Sequence, residues 1–309
     1  MNQKLFVNLI TILFPITKFK MAITYLLLSI LFSTFINLVF KWFSVFKVNK
    51  IQAILVNYLV CFVIGFLLSG NYDIIITFKS DWFKYCLLLG CLFVAIFFGM
   101  ALTTEKYGVS VNAVSAKMSV LIPVLFAYIY NAEKLTFQFV LGIVLSLFSI
   151  YLITTKNQVT IPRKYIYLPI IVFLGSGLID TSLKLLELNF SKIVSISTIS
   201  YSIFLSAFIV GMLFYISKER FNFNNWSRRN IVSGVLLGVP NYFSIYFLLM
   251  AIKAFSLKSA FVFGINNIGI VLLSTLMSII IFREKLSLIN KIGIAVSILS
   301  IILISNASR

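Results

Sequence analysis

The chain has 309 residues, 61% of them apolar and 11% charged, and its mean hydropathy of +1.07 exceeds what a water-soluble globular surface carries, so its solvent is lipid. The 26 Lys and Arg outnumber the 8 Asp and Glu, a formal net charge of +18, but they are scattered through short polar intervals. That distribution fits anionic lipid headgroups and excludes a nucleic-acid footprint, which needs cations clustered on one polar domain. His is absent, which removes the usual proton relay, general base and commonest metal ligand, so no catalytic or metal-binding residue and no cofactor is expected. Cys61, Cys86 and Cys91 lie inside apolar runs without CxxC spacing and read as buried fillers.

In chain order, Leu5 to Ile16 is apolar but short, contains Pro15 and ends in Lys18-Phe19-Lys20 before Met21. It reads as an interfacial segment or an over-long start, and residues 1–20 are set apart from the fold. A helix needs roughly 20 apolar residues to cross the ~30 Å hydrocarbon layer. Runs of that kind lie near 22–43, 51–70, 83–104, 109–131, 136–155, 165–186, 193–216, 231–252, 258–281 and 287–305. They are continuously apolar rather than alternating, which excludes an outer-membrane barrel. Trp42, Trp82 and Trp226 fall beside span ends, where amphipathic rings anchor at headgroup level. Lys and Arg are balanced between the two sets of loops, so charge leaves the orientation undecided.

Glu133-Lys134-Leu135-Thr136 recurs as Glu284-Lys285-Leu286-Ser287, and a shift of 151 residues carries the match through the next span. Gly142 meets Gly293, Ser146 meets Ser297 and Ser149 meets Ser300. Apolar composition alone does not align charges, glycines and serines. The expected fold is therefore all-α integral membrane, ten transmembrane helices as two inverted five-helix repeats, 21–156 and 157–309. A five-span unit enters on one face and leaves on the other, so its second copy is inverted, the usual construction of a transporter with its site near the midplane.

These residues resemble the EamA-like branch of the drug/metabolite transporter superfamily: Ala101-Leu102, Pro123, Glu133-Lys134-Leu135 and Gly142 in one half, and Ala251, Glu284-Lys285-Leu286 and Gly293 in the other. The resemblance implies ten helices, cytoplasmic termini, a central cavity and movement of small organic metabolites, often outward. The expected location is the cell membrane, as a multi-pass protein of a bacterial inner membrane. The second half departs from the pattern in having Ser274 where the shift places the counterpart of Pro123.

A charge at helix-centre depth costs about 2.5–3.5 kcal/mol, so the few intramembrane ionisable groups are the candidate site. Lys117 sits near the middle of the fourth span with no acidic residue three or four positions away. It reads either as a site for the carboxylate of an amino-acid-like substrate or as one half of a fixed interhelical ion pair. Asp180 is the candidate for proton coupling, although Lys184 at i+4, with Glu187 at i+7, offers it a local partner. Asn112, Ser115 and Ser119 surround Lys117, and Asn266 and Asn267 lie between Gly264 and Gly269 in the ninth span. Amides and hydroxyls at that depth bond either a solute or a neighbouring helix. Pro240-Asn241-Tyr242 is a third candidate, because a helix proline frees a carbonyl beside an amide and a phenol. Gly234 and Gly238 read as close helix packing, and Glu133 and Glu284 as structural carboxylates at span ends that either cap or pair locally with Lys134 or Lys285.

The expected function is secondary transport of small organic solutes, with a lipid flippase or a channel-like permease of the same fold as the alternative; a membrane enzyme is disfavoured. No Walker pattern is present, so a gradient supplies the energy. The expected partners are a small-molecule substrate and membrane lipids, with a homodimer as the assembly left open.

Overall fold

A computed structural model describes residues 3–70, 78–123, 125–126, 136–154, 165–190, 193–219, 226–255 and 259–307. Among them the regular elements are α-helices: α1 (Gln3–Val45), α2 (Lys50–Ser69), α3 (Phe83–Tyr107), α4 (Val109–Met118), α5 (Phe137–Thr154), α6 (Tyr167–Phe190), α7 (Ile196–Glu219), α8 (Arg228–Phe255), α9 (Ser259–Phe282) and α10 (Leu288–Ala307). Seven segments are long and apolar enough to cross a membrane: Met21–Val45 of α1, α2, α3, Tyr167–Leu186, Ile196–Ser217, Arg228–Ala254 and Ile265–Phe282. The other apolar helices, Val109–Pro123, Val140–Leu152 and Leu288–Ile304, are shorter. Large apolar side chains such as Leu31, Leu67, Leu88, Phe148 and Ile280 point outward, as a lipid-facing surface requires. The chain is an all-α membrane protein of several spans.

Local chemistry sets the helix ends. Asn49 caps α2 through its side-chain oxygen, which accepts from the N–H groups of Ile51 and Gln52. Ser287, the last residue of the repeated acidic-basic motif, precedes α10 and exchanges hydrogen bonds with Asn290. The fourth helix differs from the uninterrupted run expected over 109–131. It breaks into turns at Ser119 and Val120 and resumes over 121–123. Pro123 has no N–H to offer the Ser119 carbonyl, which accepts from Ile122 at 2.9 Å instead, while Val120 reaches back three residues to Lys117.

Packing joins helices distant in sequence. α1 lies along α8, and α3 along α6; α2 packs on α7 and α8, and α7 on α3. α4 packs on α6 and α9, α1 also touches α9, and α5 lies along α10. The pairs α2–α7, α4–α9 and α5–α10 run antiparallel. In α2 and α7, Gly65 meets Tyr201 while Leu55 meets Gly211. In α4 and α9, Ser110 contacts Ser278 while the Lys117 carbonyl accepts from Asn267. In α5 and α10, Ser300 and Asn290 donate to the Gly142 and Leu152 carbonyls. The Gly234 and Gly238 stripe presses α8 onto α2.

Two expectations fail here. Trp82, at the start of α3, is buried in the main core cluster rather than facing lipid as an anchoring ring does. Cys91 is exposed, because it lies on the outward face of α3, whereas Cys61 and Cys86 are buried. The motif copy at 133–135 lies outside the described residues.

Candidate functional site

A cavity of about 130 Å³ lies among α1, α3, α4, α6, α8 and α9. Phe93, Ile96 and Phe97 form an apolar wall, and its polar groups include Asn37, Lys117, Asp180, Lys184, Asn241 and Asn266. Lys117 stands one residue before the end of α4, where the break caused by Pro123 leaves its carbonyl to accept from Val120 and from Asn267 Nδ2, at 3.4 Å each. Broken helices of this kind are tolerated at membrane depth where they line a cavity.

Asp180 faces the same space from α6, and its charge interacts with that of Lys117. Ser119 Oγ donates to Asp180 Oδ2 at 3.4 Å. The ion pairs of the described residues are Lys41 with Glu284, and Lys50 and Lys106 with Glu105. Neither Lys117 nor Lys184 forms one with Asp180, so the local Asp180–Lys184 pair offered by their i, i+4 spacing is not made. Cation and carboxylate thus line one cavity without forming an ion pair.

The other sequence candidates separate by position. Asn241 and Asn266 line the cavity, with Asn241 also held by Asn57 Oδ1 at 3.0 Å. Ser119 and Asn267 act one layer behind, on Asp180 and on the Lys117 backbone. Asn112 donates to Asn37 Oδ1 at 2.9 Å, and Ser115 is fully buried outside the lining. Tyr242 turns away, because its ring packs in the aromatic core against Phe204, Phe243 and Tyr246. Glu284 pairs with Lys41 at 3.3 Å rather than with the adjacent Lys285.

Asn37, Ser33, Ser176 and Ser244 also line the cavity and escaped the reading from sequence. Asn37 carried a usable signal as the lone amide of the first span; hydroxyls that bond their own helix are too common to carry one.

Fold and cavity define the class: a helical membrane protein with a small cavity among its helices that is lined by both a cation and a carboxylate. No family model matches the chain. An uncharacterized protein of Haemophilus influenzae is 27% identical over 218 residues, which are 70% of this chain and 72% of that protein. A protein crystal structure matches with a TM-score of 0.62 at 16% identity, covering 91% of this chain and 95% of its own. That likeness is one of fold.

Proposed function

We propose that the chain is a secondary transporter of the EamA-like kind, built from two inverted five-helix repeats in a bacterial inner membrane, moving small zwitterionic solutes by alternating access. The observation that carries the reading is the cavity in which Lys117 and Asp180 interact without an ion pair. A solute with a carboxylate for Lys117 and an ammonium for Asp180 replaces the missing pair with charge-assisted hydrogen bonds on both sides. Its apolar part lies against Phe93 and Phe97.

The packing supports the repeat. Adding five to each helix number turns the α1–α8 contact into α6–α3, α2–α8 into α7–α3 and α1–α9 into α6–α4, all of which occur. Helices that correspond to each other pack together as α2–α7, α4–α9 and α5–α10, and antiparallel, as inverted copies about an axis in the membrane plane must. A flippase is less well supported, because about 130 Å³ is below the roughly 300–1,000 Å³ of drug-sized sites, and an acyl chain needs more room still.

The test is movement of radiolabelled leucine, glutamate and glycine betaine into proteoliposomes, beside lipid scrambling in the same vesicles. Saturable movement of an amino acid, reduced at least tenfold by Lys117→Gln, is the expected result. Scrambling without solute movement would replace the proposal with the flippase.

A further inference from the structure

The turns α1–α2, α3–α4 and α9–α10 share one end of the bundle, joined there by Lys41, Gly108 and Glu284. The cavity walls extend the other way, to Lys184 late in α6, Ile252 late in α8 and Asn266 early in α9. Toward the shared end the cavity stops at polar layers between α1, α4 and α9. Asn112 donates to Asn37, whose own amide donates to Ser274 Oγ at 3.1 Å. Ser110 and Ser278 meet at 3.3 Å in the next layer. Beyond them a second void of about 110 Å³ opens among Lys41, Glu105, Ser110 and Glu284. Asn37 lines the first void and Lys41 the second, and they are one helical turn apart on α1, ~6 Å.

We infer that Glu284 is the latch of a gate between these two voids. Its Oε1 takes both the Lys41 ammonium at 3.3 Å and the Val109 N–H at 3.0 Å, so one atom ties α1 and the start of α4 to the α9–α10 turn. Gly108 permits the approach: a Cβ there would lie 2.6 Å from the same oxygen. The plug beneath is closed by neutral hydrogen bonds, each worth only about 0.5–1.5 kcal/mol net. It also buries Asn112 Oδ1 with no hydrogen-bond partner among the described residues. Water entering an opened gate would satisfy that oxygen, which narrows the gap between closed and open states. The charged latch therefore decides which end the cavity faces. The inference rests on the transport reading, for which two-sided access is the essential property.

The test places a single reactive thiol at the cavity wall, Ser33→Cys in a Cys91→Ser background, and applies a membrane-impermeant thiol reagent to each face of the vesicle. With Glu284 intact, labelling from the latch end is at least tenfold slower than from the other. Glu284→Gln raises latch-end labelling at least fivefold, and Glu284→Asp keeps most of the asymmetry. A correctly folded Glu284→Gln protein with unchanged sidedness overturns the latch, because a purely structural role changes yield and not sidedness. Should Glu284→Gln fail to fold, Ser110→Cys with Ser278→Cys decides: oxidative cross-linking stops leucine movement and reduction restores it. Unaltered leucine movement after cross-linking overturns the gate. If the wild type moves no solute, the transport reading fails, while the labelling asymmetry still decides the latch.

Discussion

Lys117 and Asp180 each stand out in the sequence as a rare charge inside an apolar span, yet their relationship does not. They belong to α4 and α6, and only the packing of those helices brings them to one cavity. Removing one leaves the other charge without its neighbour in low dielectric, whereas removing both leaves two neutral polar groups. The Lys117→Gln, Asp180→Asn double variant is accordingly expected to melt above the sum of its single effects, with a coupling of about 1 kcal/mol or more. Melting in detergent measures this, and additive losses would mean that the charges act independently. Tyr242 shows the limit of spacing arguments at this scale. Its neighbour Asn241 lines the cavity while Tyr242 enters the aromatic core, and adjacent residues on a helix point about 100° apart.

The apolar spans follow closely from hydropathy, because span length is a one-dimensional property set by bilayer thickness, whereas α1 itself begins at Gln3, well before the expected start at 22. The interruption of α4 is subtler: Pro123 is visible in the sequence, but the turns at Ser119 and Val120 sit up to four residues before it, where the missing N–H would have bonded. Pro123→Ala restores that donor. The expected outcome is a straighter α4, a gain in thermal stability of about 1 kcal/mol or more, since a helix-interior proline costs about 3 kcal/mol, and weaker leucine binding as the Lys117 carbonyl and ammonium are re-aimed. A stabilised variant with unaltered binding would show that the break does not shape the site. Gly238→Ala is expected to act oppositely, because its Cβ would fall 2.9 Å from the Asn57 carbonyl oxygen on α2. Overpacking of that kind costs about 1–3 kcal/mol, read as a lowered melting temperature.

For the molecule as a whole, the ten-span arrangement and one limited to the seven long apolar segments differ in where the last helix leaves the chain. Thiols introduced for Phe46, Lys285 and Asn306 separate them, each position being exposed. Ten spans place Phe46 and Lys285 on one face and Asn306 on the other. If α4, α5 and α10 do not cross, all three are labelled from the same face.

Composition and the order of apolar runs by themselves determined that this is a helical membrane protein, where its apolar runs lie and that a motif of its first half recurs in its second. Those properties depend on each residue's own transfer energy and on its near neighbours along the chain. The tertiary structure alone decided that Lys117 faces Asp180 across a chamber, that Tyr242 and Trp82 are core, and that Glu284 reaches Lys41 and Val109 instead of Lys285. Inside a bilayer, polar groups are satisfied by whichever helix happens to pack beside them. The partner is fixed by crossing geometry between helices far apart in sequence, and local spacing contains no record of it.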